Sequence, residues 1–345
     1  MCRHFRHHIQ EVQGQVRHER AVAWQAWTQD AWRNDRRKIF EFVGSSQGGV
    51  KVLRKEDGTY TGSLKELDEL LLGSWLPIFR KYEVSPEPAW EDFHRRFGPY
   101  IPRAQTRAES VLTPEMLREV LKKMDPTTSV GVDGWSVAEL RCAPPQLLQR
   151  LCDLFASIEA HGRWPASLAV GLITPVPKGT KFEALHMRPI TVMPVLYRLW
   201  AGAHMRMLIE WMDSWLTRNV ASYRPDLGCE DVWLANALEI EAALLEGRPI
   251  TGLNLDFAKC FDLLPHSILL NSAEEVGLPE NVLSGLRAMY AQLERRFKLG
   301  PVVGEPFVST NGILQRETVE SRRGTPPLAE CKIDPDGPAA QVATR

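Results

Sequence analysis

The chain has 345 residues, 44% of them hydrophobic, and its 42 Lys and Arg nearly balance 43 Asp and Glu; it can bury a sizeable core in about two domains. The net charge of −1 argues against a nucleic-acid binder over the whole chain, although local patches decide such binding. No apolar run of about 18 residues and no apolar signal core occurs, and six scattered cysteines form no C-x-x-C pair. No membrane span or secretory leader is therefore expected, and reduced thiols place the protein inside the cell, in nucleus or cytoplasm.

In chain order, residues 1–38 hold eight Lys and Arg against four Asp and Glu. Trp24, Trp27, Ala31 and Trp32 follow near helical spacing and read as helix packing. The Gly-rich stretch 44–49 breaks that helix, Lys55 to Tyr60 reads as a turn between short strands, and 64–82 reads as a helix with Trp75, Ile78 and Phe79 on one face. Region 1–105 thus reads as a separate helical unit, closed by the proline-rich stretch 86–107. Thr113 is a good N-cap and Pro114 a good first helical residue, before a stripe of Leu117, Val120, Leu121 and Met124. A mostly buried helix is predicted over 193–216, and amphipathic helices over 230–246 and 282–297. Leu253, Leu255 and Phe257 alternate with Asn254 and Asp256, which predicts a strand carrying Asp256 near its end. Pro265 and Gly277 then bracket a helix. The Pro-, Gly- and charge-rich tail 316–345 reads as disordered.

The segment Leu255-Asp256-Phe257-Ala258-Lys259-Cys260-Phe261-Asp262 resembles the first catalytic motif of reverse transcriptases, most closely those of non-LTR retrotransposons and group II introns. Upstream, Leu172-Ile173-Thr174-Pro175-Val176-Pro177-Lys178 and Met187-Arg188-Pro189-Ile190 resemble that family's fingers motifs. Gly131-Val132-Asp133-Gly134 with Glu139-Leu140 is similar to its entry motif. Tyr223 to Asp231 is similar to the loop before a fingers helix, and Ser309-Thr310-Asn311-Gly312-Ile313-Leu314-Gln315 to the start of the next palm motif. Gly131 and Gly134 read as permitting a tight turn, and Asp262 as structural, capping the helix that follows.

The resemblance implies an α+β chain: a helical connector over 1–105, fingers and part of a palm over 106–315, and an unrelated tail. It implies RNA-directed DNA synthesis from dNTPs on an RNA template and a DNA primer, with Asp256 binding catalytic magnesium. It further implies that Lys178, Arg188, Phe261 and Gln315 lie on the nucleotide, Phe261 screening its sugar. Lys suits phosphate as a point charge and Arg as a two-pronged donor. The family's Asp-Asp hairpin has no counterpart, because the chain contains no Asp-Asp dipeptide and Arg316 follows Gln315 where the family has Gly. A frameshift, a mis-spliced exon or a decayed element would each produce this pattern. Two-metal nucleotidyl transfer needs several carboxylates, so an inactive fragment is expected. The alternatives are a non-catalytic binder of RNA or template–primer duplex, and a structural or splicing-associated protein.

Overall fold

The computed structural model describes residues 50–104, 111–178, 181–217, 220, 227–252 and 255–314, with isolated positions between 18 and 30. The tryptophans at 24, 27 and 32, the loop 221–226, Leu253, Asn254, Gln315 and the tail lie outside the described residues.

Two short strands, β1 (Leu53–Arg54) and β2 (Tyr60–Thr61), pair around Gly58 in the turn read from the sequence. Helix α1 (Leu64–Phe79) buries Leu67, Leu71, Trp75 and Phe79 four residues apart, a stripe along one face. It ends at Arg80, short of the expected Tyr82, and α2 (Lys81–Val84) and α3 (Trp90–Phe97) follow. Helix α4 (Pro114–Lys123) starts as expected: the Thr113 side chain accepts from the Met116 N–H, and Leu117, Val120 and Leu121 are buried. A capping box between Ser136 and Glu139 opens α5 (Val137–Arg141), and α6 (Pro145–His161) closes at Gly162 in the left-handed region.

Strands β3 (Val170–Pro177) and β4 (Met187–Val192) form an antiparallel hairpin, and α7 (Val195–Trp215) follows as the expected mostly buried helix. The Gly131–Gly134 turn meets the start of α7. Asp133 Oδ2 accepts from the Leu196 N–H, and a side chain on Gly131 would strike Pro194 at 2.5 Å. Glycine and acid in this motif thus anchor a helix N-terminus.

Helix α8 (Cys229–Leu245) lies where a helix was expected, but it is not amphipathic in its packing: Trp233, Leu234, Leu238, Ile240 and Leu244 are all exposed. After it come α9 (Cys260–Leu263), α10 (His266–Val276) and α11 (Glu280–Gln292). Pro265 and Gly277 bracket α10 as expected, with Gly277 at φ +98°. The helix expected over 282–297 stops early. Residues Glu294–Leu299 form β5, parallel to β3, followed by β6 (Val302–Val303) and β7 (Phe307–Val308), both antiparallel to β5. Along β5, Arg295, Phe297 and Leu299 are buried in alternation, a period-2 pattern obscured in the sequence by a charge at an inward position.

The sheet order is β4-β3-β5-β6, with β7 also on β5. Trp75, Phe79 and Leu71 of α1 share one core with Ile173, Met187, Phe297 and Phe307. A second core joins α4, α6, α7 and α11 through Leu117, Phe155, Trp200 and Met289. Each such buried side chain contributes about 1.5–3 kcal/mol. Strand β3 pairs with β5 only through Ile173, then runs on with β4 alone. Pro175 and Pro177 fall in that one-sided stretch, where a missing N–H leaves no neighbour unsatisfied. The β3–β4 hairpin therefore projects beyond the sheet.

Candidate functional site

Lys178 ends β3. Its N–H donates to the His186 carbonyl at 2.9 Å, closing the hairpin, and its side chain is exposed. Arg188 stands opposite Val176 on β4, also exposed. Beneath the hairpin connection lies Trp75, whose Nε1 donates to the Ala184 carbonyl at 3.0 Å. The Lys259 ammonium lies over the face of this indole, 3.8 Å from the ring centroid.

Lys259 thereby ties the hairpin to the loop that carries Asp256. It is the one non-glycine residue among the described residues with positive φ, at +51°. Burial pushes its pKa down; Asp262 opposes that shift and the charge of Lys178 adds to it.

Among the described residues, the strand expected to present Asp256 is not formed. Leu255, Asp256 and Phe257 have no regular structure and are exposed, Phe257 to 70%. An alternating sequence becomes a strand only where a neighbour accepts its hydrogen bonds, and no strand of the sheet pairs with 255–257. Phe261 follows in α9, partly exposed. No group of three or more His, Cys, Asp or Glu arranged to hold a metal occurs among the described residues.

The sequence resemblance did not reveal how tightly the loop after Asp256 is joined to the segment 309–314. Asn311 is fully buried, and its Nδ2 donates to the Ile78 carbonyl at 2.8 Å and the Asp262 carbonyl at 2.7 Å. Its Oδ1 accepts from the Lys81 N–H and the Thr310 hydroxyl. The Gly312 N–H donates to the Leu264 carbonyl and the Ile313 N–H to the Phe261 carbonyl, both at 2.8 Å. Asp262 does not cap α10, whose N-cap is Pro265. Its carboxylate is buried, which raises its pKa, and it faces the charges of Lys259 and Arg295.

Arg295 is 2% exposed, donates to the Gly312 carbonyl at 3.2 Å and covers the Phe79 ring. His266 Nε2 lies 2.8 Å from the same carbonyl. Because a carbonyl only accepts, that nitrogen carries the proton. Burial holds the His266 pKa below its usual value, so the ring is neutral.

Gly312 sits at φ +85°, and a side chain there would meet the Asp262 carbonyl oxygen at 2.7 Å. Gly312→Ala is expected to destabilise by about 2 kcal/mol through left-handed strain and this contact. Chemical denaturation would measure the loss, and an unchanged midpoint would contradict the packing.

No protein-family model matches the chain. The chain is similar to the Transposon TX1 uncharacterized 149 kDa protein of Xenopus laevis, with 21% identity over 268 residues, which is 77% of this chain and 20% of that protein. The chain thus spans about a fifth of the length of the relative it matches. No helix among the described residues is long and apolar enough to cross a membrane.

Proposed function

We propose that this chain is derived from a non-LTR retrotransposon and carries the fingers and part of the palm of an α+β RNA-directed DNA polymerase, the β3–β4 hairpin being the fingers element. The observation that carries the reading is the joining of the 256–264 segment to the 309–314 segment by the hydrogen bonds of Asn311, Gly312 and Ile313, beside a hairpin bearing Lys178. Similarity to a transposon protein supports the same origin.

In this reading Lys178 and Arg188 take the phosphates of a dNTP, and Phe261 lies against its sugar. The resemblance assigns Gln315 to the same nucleotide, but that residue lies outside the described residues. Magnesium belongs to the family's chemistry, with Asp256 as its ligand, but the described residues do not fit a metal centre. Asp256 is a single exposed carboxylate with no metal-binding group around it, and one carboxylate leaves two metal ions under-coordinated. The residues present can bind and orient a nucleotide but do not assemble the transfer chemistry.

The 345-residue polypeptide is therefore expected not to extend oligo(dT) on poly(A) with magnesium or manganese. Incorporation above background that is lost in Asp256→Ala would overturn this expectation. A cationic face without its carboxylates also favours a second reading, a binder of template–primer duplex. Its affinity should fall steeply between about 50 and 200 mM salt as phosphate contacts release counterions.

A further inference from the structure

We propose that Lys259 is a polyphosphate-binding residue, its ammonium held on the Trp75 indole until an anion bridges it to Lys178. The proposal rests on the nucleotide-cleft reading above and deepens it.

Three features carry it. First, the backbone at Lys259 is left-handed, φ +51°, a conformation that L side chains other than Asn and Asp adopt at a cost. A turn needing only that geometry is served best by glycine, whereas here it carries a side chain that reaches the Trp75 ring. Second, that side chain lies over a buried ring rather than extending into water, with Nζ 3.8 Å from the centroid. A ring face attracts a cation without satisfying its three N–H donors, and these remain suited to oxygen acceptors. Third, both lysines stand at the base of the hairpin: Lys259 lies over the Trp75 ring that bonds the Ala184 carbonyl, and the Lys178 N–H bonds the His186 carbonyl two residues further on. Asp262, the acid facing Lys259, is buried and shared with Arg295.

Repulsion between the two lysines is relieved by a multivalent anion lying between them. A linear tri- or pyrophosphate has the required charge and can present oxygens to both amines. The shared chemistry is the polyphosphate chain, free or borne by a nucleotide.

The test is calorimetric titration of the full chain with inorganic tripolyphosphate and, separately, with dTTP. Wild type is expected to bind both. Lys259→Gly, which keeps the turn and relaxes its φ, should weaken both about tenfold, the weight of one charge-assisted hydrogen bond, without lowering the melting midpoint. Lys259→Arg should recover most of the affinity. Binding of dTTP but not tripolyphosphate would overturn the proposal, as would unchanged binding in Lys259→Gly. A loss of affinity that tracks a fall in melting midpoint would also overturn it, making Lys259 a structural clasp on Trp75. Primer extension judges the polymerase reading separately, and its outcome leaves the titration result standing.

Discussion

Replacing Asn311 by alanine should destabilise the protein by about 3–5 kcal/mol, one of the largest effects expected of any single substitution here. The side chain is fully buried and makes four hydrogen bonds, to the Ile78 and Asp262 carbonyls, the Lys81 N–H and the Thr310 hydroxyl. Truncation leaves these partners in an interior where water replaces none of them well, and each orphaned buried group costs about 1–3 kcal/mol. The loss should not stay local, because Asn311 joins the end of α1, the start of α2 and the 262–264 turn. Asn311→Asp should fail as well, since a carboxylate cannot donate to two carbonyls. Urea denaturation monitored by circular dichroism would check both variants. A cost for Asn311→Ala below about 1 kcal/mol, the worth of a single ordinary hydrogen bond, would contradict the staple.

An effect of similar size is expected at Glu159, which bonds Trp200 of the second core. Its Oε1 accepts from Trp200 Nε1 at 2.8 Å and lies 2.7 Å from His204 Nε2; its Oε2 accepts from Asn281 at 2.8 Å. One carboxylate thus joins α6, α7 and α11. Glu159→Ala removes the acceptor for three largely buried groups and should cost about 3–5 kcal/mol. Glu159→Gln keeps the shape and one acceptor oxygen and should cost less.

The pH dependence has a definite sign. Burial alone would raise the Glu159 pKa, but the hydrogen bonds from His204, Trp200 and Asn281 outweigh it and hold the group below its usual value. Its contribution to stability is therefore present above the unfolded pKa and lost as pH falls through the lower folded one. Asp68, Asp133 and Asp262 are shifted the other way, mainly by burial. Their contributions are present below the unfolded pKa and lost as pH rises through the folded values. The difference between wild type and Glu159→Gln isolates the first effect and should shrink as acid is added. A difference that grows below the usual glutamate range would contradict the network.

Much of this architecture was legible where local chemistry decides it. Thr113 with Pro114, and Pro265 with Gly277, fixed helix ends because caps need only their own neighbours. The segments of β3 and β4 stood out only through their resemblance to fingers motifs. What depends on distant partners was not legible. Leu255 and Phe257 alternate like a strand, but alternation supplies no neighbour. Strand β5 was read as helix because Arg295 occupies an inward position, and that position is tolerable only beside Gly312, Phe79 and Asp262. Lys259 could be read as a motif position, but its left-handed backbone and its seat on Trp75 could not. Asn311 lay within a quoted motif, but its four hydrogen bonds reach three separate segments that the motif does not reveal.

In the proposed reading, residues 255–263 and 309–314 form two walls of one nucleotide cleft beneath the β3–β4 hairpin. Photo-crosslinking with an azido-substituted dATP, followed by peptide mapping, tests it most directly. The account predicts saturable labelling within residues 255–263 or 309–315 that excess tripolyphosphate displaces. Labelling concentrated instead in the groove lined by Trp90, Arg103 and Asn271, or labelling that does not saturate, would contradict it.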